Sequence, residues 1–209
     1  FLKPDTGRVI LQGQDITGQA PHLNAQLGMT RTFQIVQPFA AQTVRENIAV
    51  GAHLHTASRT QALAMAAQVA ERVGLADQLD KLASDLTVAG RKRLELARAL
   101  ATEPKLLLLD EVLAGLNPQE IADMIPVIRS IAASGVTVLM IEHVMQAVMS
   151  LAQEVWVLAQ LRPGEDAVFF RYGRHCSMFL PGQWLAHPDP AERPADRRAA
   201  RTPGTLPRR

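Results

Sequence analysis

Four consecutive leucines in residues 106–111 run directly into an aspartate and a glutamate. A second apolar run, at residues 136–141, stops in the same way at a Glu-His pair, residues 142–143. Short apolar runs without alternation are typical of strands that are buried on both faces of a parallel sheet. Because ligands bind outside the carboxyl ends of such strands, these polar residues are predicted to border a binding site.

The segments around these runs predict alternating helices and strands. Residues 118–133 are predicted to be helical, with Asn117 as the N-cap, a proline in the first turn and Gly135 after the end. Residues 144–151 predict another helix, and residues 155–158 a third buried parallel strand. This order of elements implies a doubly wound α/β sheet.

The first half of the chain predicts a small β part followed by helices. Residues 7–16 predict a hairpin, and a short strand is expected near residues 29–33. Apolar residues spaced by three and four predict helices within residues 43–86 and at residues 91–102, before a proline that ends the last one.

Composition places the chain among ordinary globular proteins, with 47% hydrophobic and 20% charged residues. A single cysteine excludes an internal disulfide framework, and no apolar run approaches the ~20 residues of a membrane span. The net charge of +2 is uneven, because residues 162–209 hold nine arginines and five acidic residues. The basic character therefore belongs to the tail and gives little support to a nucleic-acid partner.

The residues at the two strand ends suit phosphate chemistry. Asp110 is a hard oxygen ligand of the kind that holds Mg²⁺. Glu111, beside it, is suited to orient and deprotonate a water molecule for attack on a phosphate. His143 is placed to contact a γ-phosphate. Acidic residues also follow strands simply as helix caps, and that alternative stays open for the Asp-Glu pair taken alone.

Five motifs resemble those of the ATP-binding subunits of ABC transporters, and they occur in that family's order. Residues 106–111 resemble the Walker B motif, and residues 86–100 resemble the ABC signature and its helix. Residues 114–118 resemble the D-loop, His143 falls at the switch histidine, and Gln34 falls at the Q-loop. Each motif is weak alone, but the ordered set is highly specific.

The resemblance covers about residues 1–158. It implies an α/β fold, a partial P-loop NTPase (ABC ATPase) fold with a parallel core sheet, a helical subdomain and a small antiparallel β part. The domain is expected at residues 1–160, with the helical subdomain at about residues 43–100. Residues 161–209, rich in Arg and Pro, match no part of the family, and they predict a disordered or frameshifted tail.

By this resemblance the cofactors are ATP and Mg²⁺. Asp110 and Gln34 would bind Mg²⁺, and Glu111 would act as the general base. His143 would stabilise the transferred charge, while Gln34 would also sense the γ-phosphate and couple to the membrane subunit. Five residues of the signature and D-loop would face the ATP held by a second ATPase subunit: Thr87, Val88, Ala89, Gly90 and Asn117.

Within the family, several segments resemble importers of branched-chain amino acids or related small solutes: residues 31–34, 38–39, 43–47 and 91–100. The implied partners are transmembrane permease subunits and a second ATPase subunit, in a homo- or heterodimer. A periplasmic or extracellular solute-binding protein would be an indirect partner, and no nucleic acid is implied. The implied location is the cytoplasmic face of the plasma membrane.

The sequence departs from the family at the phosphate-binding loop. No GxxxxGK[ST] motif occurs in the 209 residues, since Gln and Ala follow residues 13–18 where Lys and Ser/Thr should stand. The family places this loop upstream of the segment that residues 1–7 resemble. We therefore expect an N-terminally truncated chain with negligible ATP affinity on its own. Val88 and Ala89 also stand where most members have two glycines.

The leading hypothesis is an ATP-hydrolysing importer subunit that powers uptake of branched-chain amino acids or a related small solute. One alternative is a soluble ABC ATPase of DNA repair or translation, although the long coiled coil or second cassette of those proteins is not seen. Another is a non-catalytic remnant.

Overall fold

The computed structural model describes Pro4 and residues 6–156, 169–172 and 178–179. The chain divides into two compact units, the first ending at Ala152 and the second beginning at Gln153. Among the described residues, no helix has both the length and the apolar character needed to cross a membrane.

The first unit begins with the expected hairpin, formed by β1 (Ile10–Leu11) and β2 (Gln14–Asp15). The turn between them places Gln12 at φ 49° and Gly13 at φ 81°. Two left-handed residues give the twist that two-residue hairpin turns require. Only two residues on each side pair, so the strands are shorter than the sequence pattern indicated.

A parallel sheet of three strands forms the centre of this unit. It contains β3 (Met29–Arg31), β4 (Leu106–Asp110) and β5 (Thr137–Ile141), in the order β3-β4-β5. The carboxyl ends of all three strands therefore lie at one edge of the sheet. This arrangement confirms the α/β fold with a parallel core sheet.

The two faces of this sheet are covered unequally. Leu107 and Leu109 of β4 are 0% and 1% exposed and belong to the hydrophobic core. On β5, in contrast, Leu139 and Ile141 are 59% and 63% exposed. The prediction that residues 136–141 form a strand buried on both faces is therefore wrong. The sequence pattern shows the apolar character of a strand, but not which of its faces receives a helix.

Six α-helices are described in this unit: α1 (Pro21–Gln26), α2 (Val44–Ala52), α3 (Arg59–Val73), α4 (Val88–Leu100), α5 (Pro118–Ala133) and α6 (Met145–Leu151). Two 3₁₀ turns, Ala76–Gln78 and Ala83–Asp85, lie between α3 and α4. Helices α2, α3 and α4 pack on one another. They lie within the predicted helical subdomain, whose boundaries at residues 43 and 100 stay a prediction.

Local sequence signals explain where these helices begin and end. Thr43 and Glu46 form a reciprocal capping box at the start of α2, and the Ser58 side chain caps α3. Gly74 ends α3 at φ 74°, a conformation that glycine adopts without strain. Gly51 allows α2 to approach α4 closely, because a Cβ atom there would collide with the carbonyl oxygen of Arg98.

Helix α4 begins at Val88, whereas the sequence pattern placed its start at Arg91. Thr87 is the N-cap, and its side chain accepts a hydrogen bond from the Gly90 N–H group. The two starts differ because the capping threonine fixes the beginning of the helix, whereas the apolar spacing becomes regular only one turn later. The predicted start of α5 is confirmed, with Asn117 as its N-cap.

The second unit contains a small antiparallel sheet. Strand β6 (Val155–Trp156) pairs with β7 (Phe169–Tyr172), which pairs with β8 (Met178–Phe179). The prediction that residues 155–158 form a third parallel strand is therefore wrong for the described part, since Val155 and Trp156 pair antiparallel with β7. Most of the predicted tail, residues 161–209, lies outside the described residues.

Candidate functional site

The carboxyl edge of the parallel sheet gathers residues from all three strands. Asp110 ends β4 and pairs in register with Ile141 of β5, so His143 follows the end of the neighbouring strand. On the other side, Arg31 ends β3, and its Nη2 atom lies 3.6 Å from Asp110 Oδ2. Both side chains are partly exposed, so the ion pair contributes little stability. Its effect is to give the Asp110 carboxylate a cationic neighbour.

Gln34 and Glu111 meet at this edge although 77 residues separate them. Gln34 Nε2 donates a hydrogen bond to Glu111 Oε2 across 2.6 Å. Gln34 is exposed and Glu111 is half-buried, so water can reach the carboxylate. The structure therefore brings together two of the three predicted catalytic residues.

The backbone of Glu111 is held in an uncommon conformation. Its φ angle is 46°, in the left-handed region that non-glycine residues rarely adopt. The Glu111 N–H group donates to the Ile141 carbonyl at 3.0 Å, and the Glu111 carbonyl accepts from the Ala114 N–H group at 3.1 Å. Strained backbone positions cost about 1–3 kcal/mol and persist where their surroundings fix them. This observed strain supports a functional role for Glu111.

Lys92 is a site residue that sequence reasoning missed. Only 7% of its surface is exposed. Its Nζ atom donates to the Gln34 carbonyl at 3.3 Å and to the Glu111 carbonyl at 3.1 Å. No local sequence signal pointed to it, because Lys92 stands between two other basic residues, Arg91 and Arg93.

Glu142 and His143 occupy the edge in different ways. Glu142 Oε1 accepts a hydrogen bond from the Leu113 N–H group at 2.8 Å. The other carboxylate oxygen of Glu142 is buried, without a partner among the described residues. His143 is exposed and makes no hydrogen bond with the part of the chain that the structure describes. His143 follows the end of β5 at this edge of the sheet, and no hydrogen bond within the described residues fixes its ring.

The signature residues form the start of α4 and not a loop ahead of it. The Gly90 N–H group is already satisfied by Thr87 Oγ1 at 3.1 Å. Val88, which is 55% exposed, and Ala89 stand in the first turn, where backbone N–H groups have no acceptor inside the helix. This end of α4 therefore presents N–H groups and the positive end of the helix dipole.

Asn117 has a structural task in the described chain. Its Oδ1 atom accepts from the Glu120 N–H group at 3.0 Å, and its own N–H group donates to Glu120 Oε2 at 2.8 Å. This capping box satisfies backbone donors at the start of α5. A contact between Asn117 and ATP held by another subunit stays a prediction.

The predicted metal ligands are of the right chemical type. Mg²⁺ prefers oxygen ligands, and it commonly takes one or two carboxylates and completes its shell with water and phosphate oxygens. The Asp110 carboxylate and the Gln34 side-chain carbonyl offer such oxygens. Across the described residues, no group of three or more His, Cys, Asp or Glu side chains is placed to hold a metal ion. The oxygen atoms of Asp110 and Gln34 are of a kind that suits a Mg²⁺ ion whose remaining ligands are water and phosphate oxygens.

The comparisons with known proteins agree with this arrangement. The family model described as "ABC transporter" matches residues 1–114, more than half of the chain. The branched-chain amino acid transport ATP-binding protein LivG of Escherichia coli K12 is 36% identical over 179 residues, which cover 78% of this chain and 70% of LivG. The corresponding BraF protein of Pseudomonas aeruginosa is 36% identical over 182 residues, covering 79% and 71%.

Solved structures give the same result. A nucleotide-free ATP-binding cassette from an ABC transporter superposes with a TM-score of 0.66 at 30% identity. The match covers 74% of this chain and 66% of that cassette, so the chain spans slightly less than two thirds of the solved protein. The ordered motifs, the shared sheet edge and these similarities together show that the chain belongs to the ABC transporter ATP-binding family, the ABC ATPases.

Proposed function

We propose that the chain provides catalytic and coupling residues for ATP hydrolysis in an importer of branched-chain amino acids or a related small solute. The main support is the 2.6 Å hydrogen bond from Gln34 to Glu111 beside Asp110. The names of the LivG and BraF relatives supply the solute class.

In this proposal Glu111 is the general base. Its carboxylate is half-buried and accepts the Gln34 amide, so it is aimed at one place while water can still approach. Proton transfer to a positioned carboxylate contributes typically about 10²–10⁴-fold to a rate. Gln34 senses the terminal phosphate. When its loop moves, the hydrogen bond from the Gln34 side chain to the Glu111 carboxylate changes, so the general base responds to that movement.

Asp110 and Gln34 would hold the Mg²⁺ ion that accompanies the nucleotide. When bound, this ion neutralises charge on the phosphates. In the described chain Arg31 lies 3.6 Å from Asp110, so its guanidinium balances the carboxylate. His143 supplies an imidazole at the same edge for the charge on the transferred phosphoryl group.

The start of α4 serves the ATP held by a second ATPase subunit. Val88 and Ala89 offer backbone N–H groups at a helix N-terminus, which favours an anion. The neighbouring signature residues Thr87 and Gly90 shape this turn, and Asn117 would approach from the D-loop. The two ATPase subunits would work with transmembrane permease subunits at the cytoplasmic face of the plasma membrane, and a solute-binding protein would act indirectly.

Hydrolysis is tested with a fusion that joins a LivG segment carrying the GxxxxGK[ST] loop ahead of Phe1. The purified, folded fusion should release phosphate from ATP, and Glu111→Gln should lower the rate by about 10²–10⁴-fold. Glu71→Gln, on the exposed side of α3, is the matched control and should keep the rate. Equal rates for the Glu111→Gln fusion and its parent would contradict the proposed base.

The solute is tested by leucine uptake in an Escherichia coli strain from which LivG has been removed. The active fusion should restore uptake, and its Glu111→Gln form should not. Restored hydrolysis without uptake would reject the solute or the permease partner while leaving the ATPase proposal in place.

The dependence of nucleotide binding on a GxxxxGK[ST] loop, which these 209 residues do not contain, is tested separately. A calorimetric titration of the 209-residue chain with Mg-ATP should show no micromolar binding, because the loop supplies most β- and γ-phosphate contacts. Micromolar binding by the chain alone would refute this dependence on the loop.

A further inference from the structure

Three charged residues form a row along one side of α4. Lys92, Glu95 and Arg98 follow one another at intervals of three, so their side chains are neighbours on the helix surface. Lys92 and Glu95 are only 7% and 6% exposed, and the Arg98 side chain is 23% exposed. Charged residues are rarely buried to this degree unless they are paired. The row therefore requires a structural explanation.

The first two members of the row hold the beginning of the loop that follows β3, residues 33–39. Glu95 accepts a hydrogen bond from the backbone N–H group of Phe33. Lys92 Nζ donates to the carbonyl of the next residue, Gln34, at 3.3 Å. Consecutive backbone groups of the loop are thus bound by side chains of α4.

The third member of the row holds the far end of the same loop. Arg98 Nη1 donates to the Gln37 carbonyl at 3.2 Å. The Arg98 guanidinium also lies 5.0 Å from the centre of the Phe39 ring, within the range of a cation–π contact. The same Nη1 atom pairs with Glu95 Oε2 at 3.2 Å, which links the second and third members of the row.

Lys92 has a second contact that extends the row to the other side of the site. Its Nζ atom donates to the Glu111 carbonyl at 3.1 Å, in addition to the Gln34 carbonyl. One buried ammonium group therefore joins the backbones of the two residues whose side chains share the 2.6 Å hydrogen bond. Hydrogen bonds from charged donors are roughly twice as strong as neutral ones.

We propose that Lys92 is a positioning residue that sets the distance between Gln34 and Glu111, with Glu95 and Arg98 fixing the rest of the loop. The importance of this distance for hydrolysis rests on the function proposed above. Because the row belongs to the helix whose first turn carries the signature residues, movement of that turn shifts Gln34 and Glu111 within the same subunit.

The charges within the row are mutually dependent. Burial raises the pKa of Glu95, while Arg98, the hydrogen bond from Phe33 and the nearby Lys92 oppose that shift. Loss of the Lys92 charge would leave Glu95 with less compensation, in addition to freeing two backbone carbonyls. Removing one partner of a buried charge pair is strongly destabilising locally.

The test compares Lys92→Met, Lys92→Arg and the wild-type 209-residue chain by NMR without nucleotide. In Lys92→Met, amide hydrogen exchange at Phe33 and Ala114 should become about tenfold faster, as loss of one charged hydrogen bond implies. The Gln34 side-chain amide resonance should shift as its bond to Glu111 lengthens. Lys92→Arg keeps the charge and the donors, so both signals should return toward wild type.

Two further comparisons keep the test decisive. Lys105→Met removes an exposed lysine whose Nζ donates to Gln12 Oε1, and it should leave both signals unchanged. If Lys92→Met does not fold, Arg98→Met provides the second variant, with faster exchange expected at the Gln42 amide, which bonds to the Phe39 carbonyl.

The proposal is overturned by any of three results. Wild-type exchange and an unshifted Gln34 signal in Lys92→Met would show that the lysine positions nothing. Equal acceleration at Phe33 and throughout α5 would show general destabilisation only. Wild-type exchange at Gln42 in Arg98→Met would reject the row. None of these readouts uses ATP, so this inference can fail while the proposed ATPase function stands.

Discussion

The Gln34 amide and the Glu111 carboxylate lie 2.6 Å apart, and neither residue belongs to a helix or a strand. Their alignment therefore depends on the contacts around them. Gln34→Glu places two carboxylates side by side at this contact. Since both cannot ionise freely, one of the pair should titrate with an apparent pKa above the usual ~4.3 of glutamate.

Carboxyl carbon NMR across acidic pH measures this titration directly, and Gln34→Ala serves as the control. If the carboxyl groups at 34 and 111 in the Gln34→Glu variant both titrate at ordinary values, the two side chains do not meet in solution.

Glu142→Ala should destabilise the fold, because it leaves the N–H group of the buried Leu113 without its 2.8 Å acceptor. The expected loss in the free energy of unfolding is about 1–3 kcal/mol. Urea unfolding measures it, with the exposed Glu71→Ala as a control that should stay within about 0.5 kcal/mol of wild type. Equal urea midpoints for Glu142→Ala and Glu71→Ala would argue against the hydrogen bond from Leu113 to Glu142.

Asn117→Ala should weaken the start of α5 by removing one half of the capping box with Glu120. The expected cost is about 0.5–2 kcal/mol by urea unfolding, and Asn117→Asp, which keeps the acceptor, should restore most of it. An aspartate variant as unstable as the alanine variant would show that the cap is not the cause.

Gly51→Ala should be destabilising, because the added methyl group would meet the Arg98 carbonyl where α2 approaches α4. Overpacking of this kind costs about 1–3 kcal/mol. Val50→Ala, at the exposed neighbouring position, is the control for urea unfolding. A Gly51→Ala variant as stable as wild type would mean that the two helices lie further apart than described.

The stability of the wild type relative to Glu95→Gln should fall as pH rises from about 4 toward neutrality. Burial raises the pKa of Glu95 in the folded protein, so its protonated form is favoured there. The stability that protonated Glu95 contributes is fully present below the pKa that Glu95 has in the unfolded chain. It is lost as pH rises through the higher pKa of Glu95 in the folded protein. Urea unfolding at several pH values measures both proteins, and a constant difference between them would contradict the shift.

Local signals in the sequence were enough to predict much of the fold. Four leucines before Asp110 indicated the central strand, and the Asn-Pro pair at residues 117–118 indicated the start of α5. These predictions succeed because each depends on residues close together in the chain. The same signals could not show that Leu139 faces solvent, since burial depends on which element packs over the strand.

The contacts that the sequence did not predict share one physical cause. Lys92 contacts a carbonyl 58 residues earlier in the chain, and Glu142, whose place at the strand end was predicted, accepts from an N–H group 29 residues earlier. Side chains that bind distant backbone groups leave no periodic pattern, because a carbonyl or N–H group looks alike at every residue. Their detection requires the tertiary structure.

The left-handed backbone of Glu111 affects how its chemistry can be examined. Glutamine at this position inherits the same unfavourable φ angle and differs mainly in charge, so its effect reports on the carboxylate. Glycine would adopt that φ angle without strain, and it would also raise the conformational entropy of the unfolded chain. A glycine variant would therefore change the backbone conformation at residue 111 as well as removing the carboxylate. A variant at residue 111 therefore reports on the role of the carboxylate only if its side chain keeps the shape of glutamate.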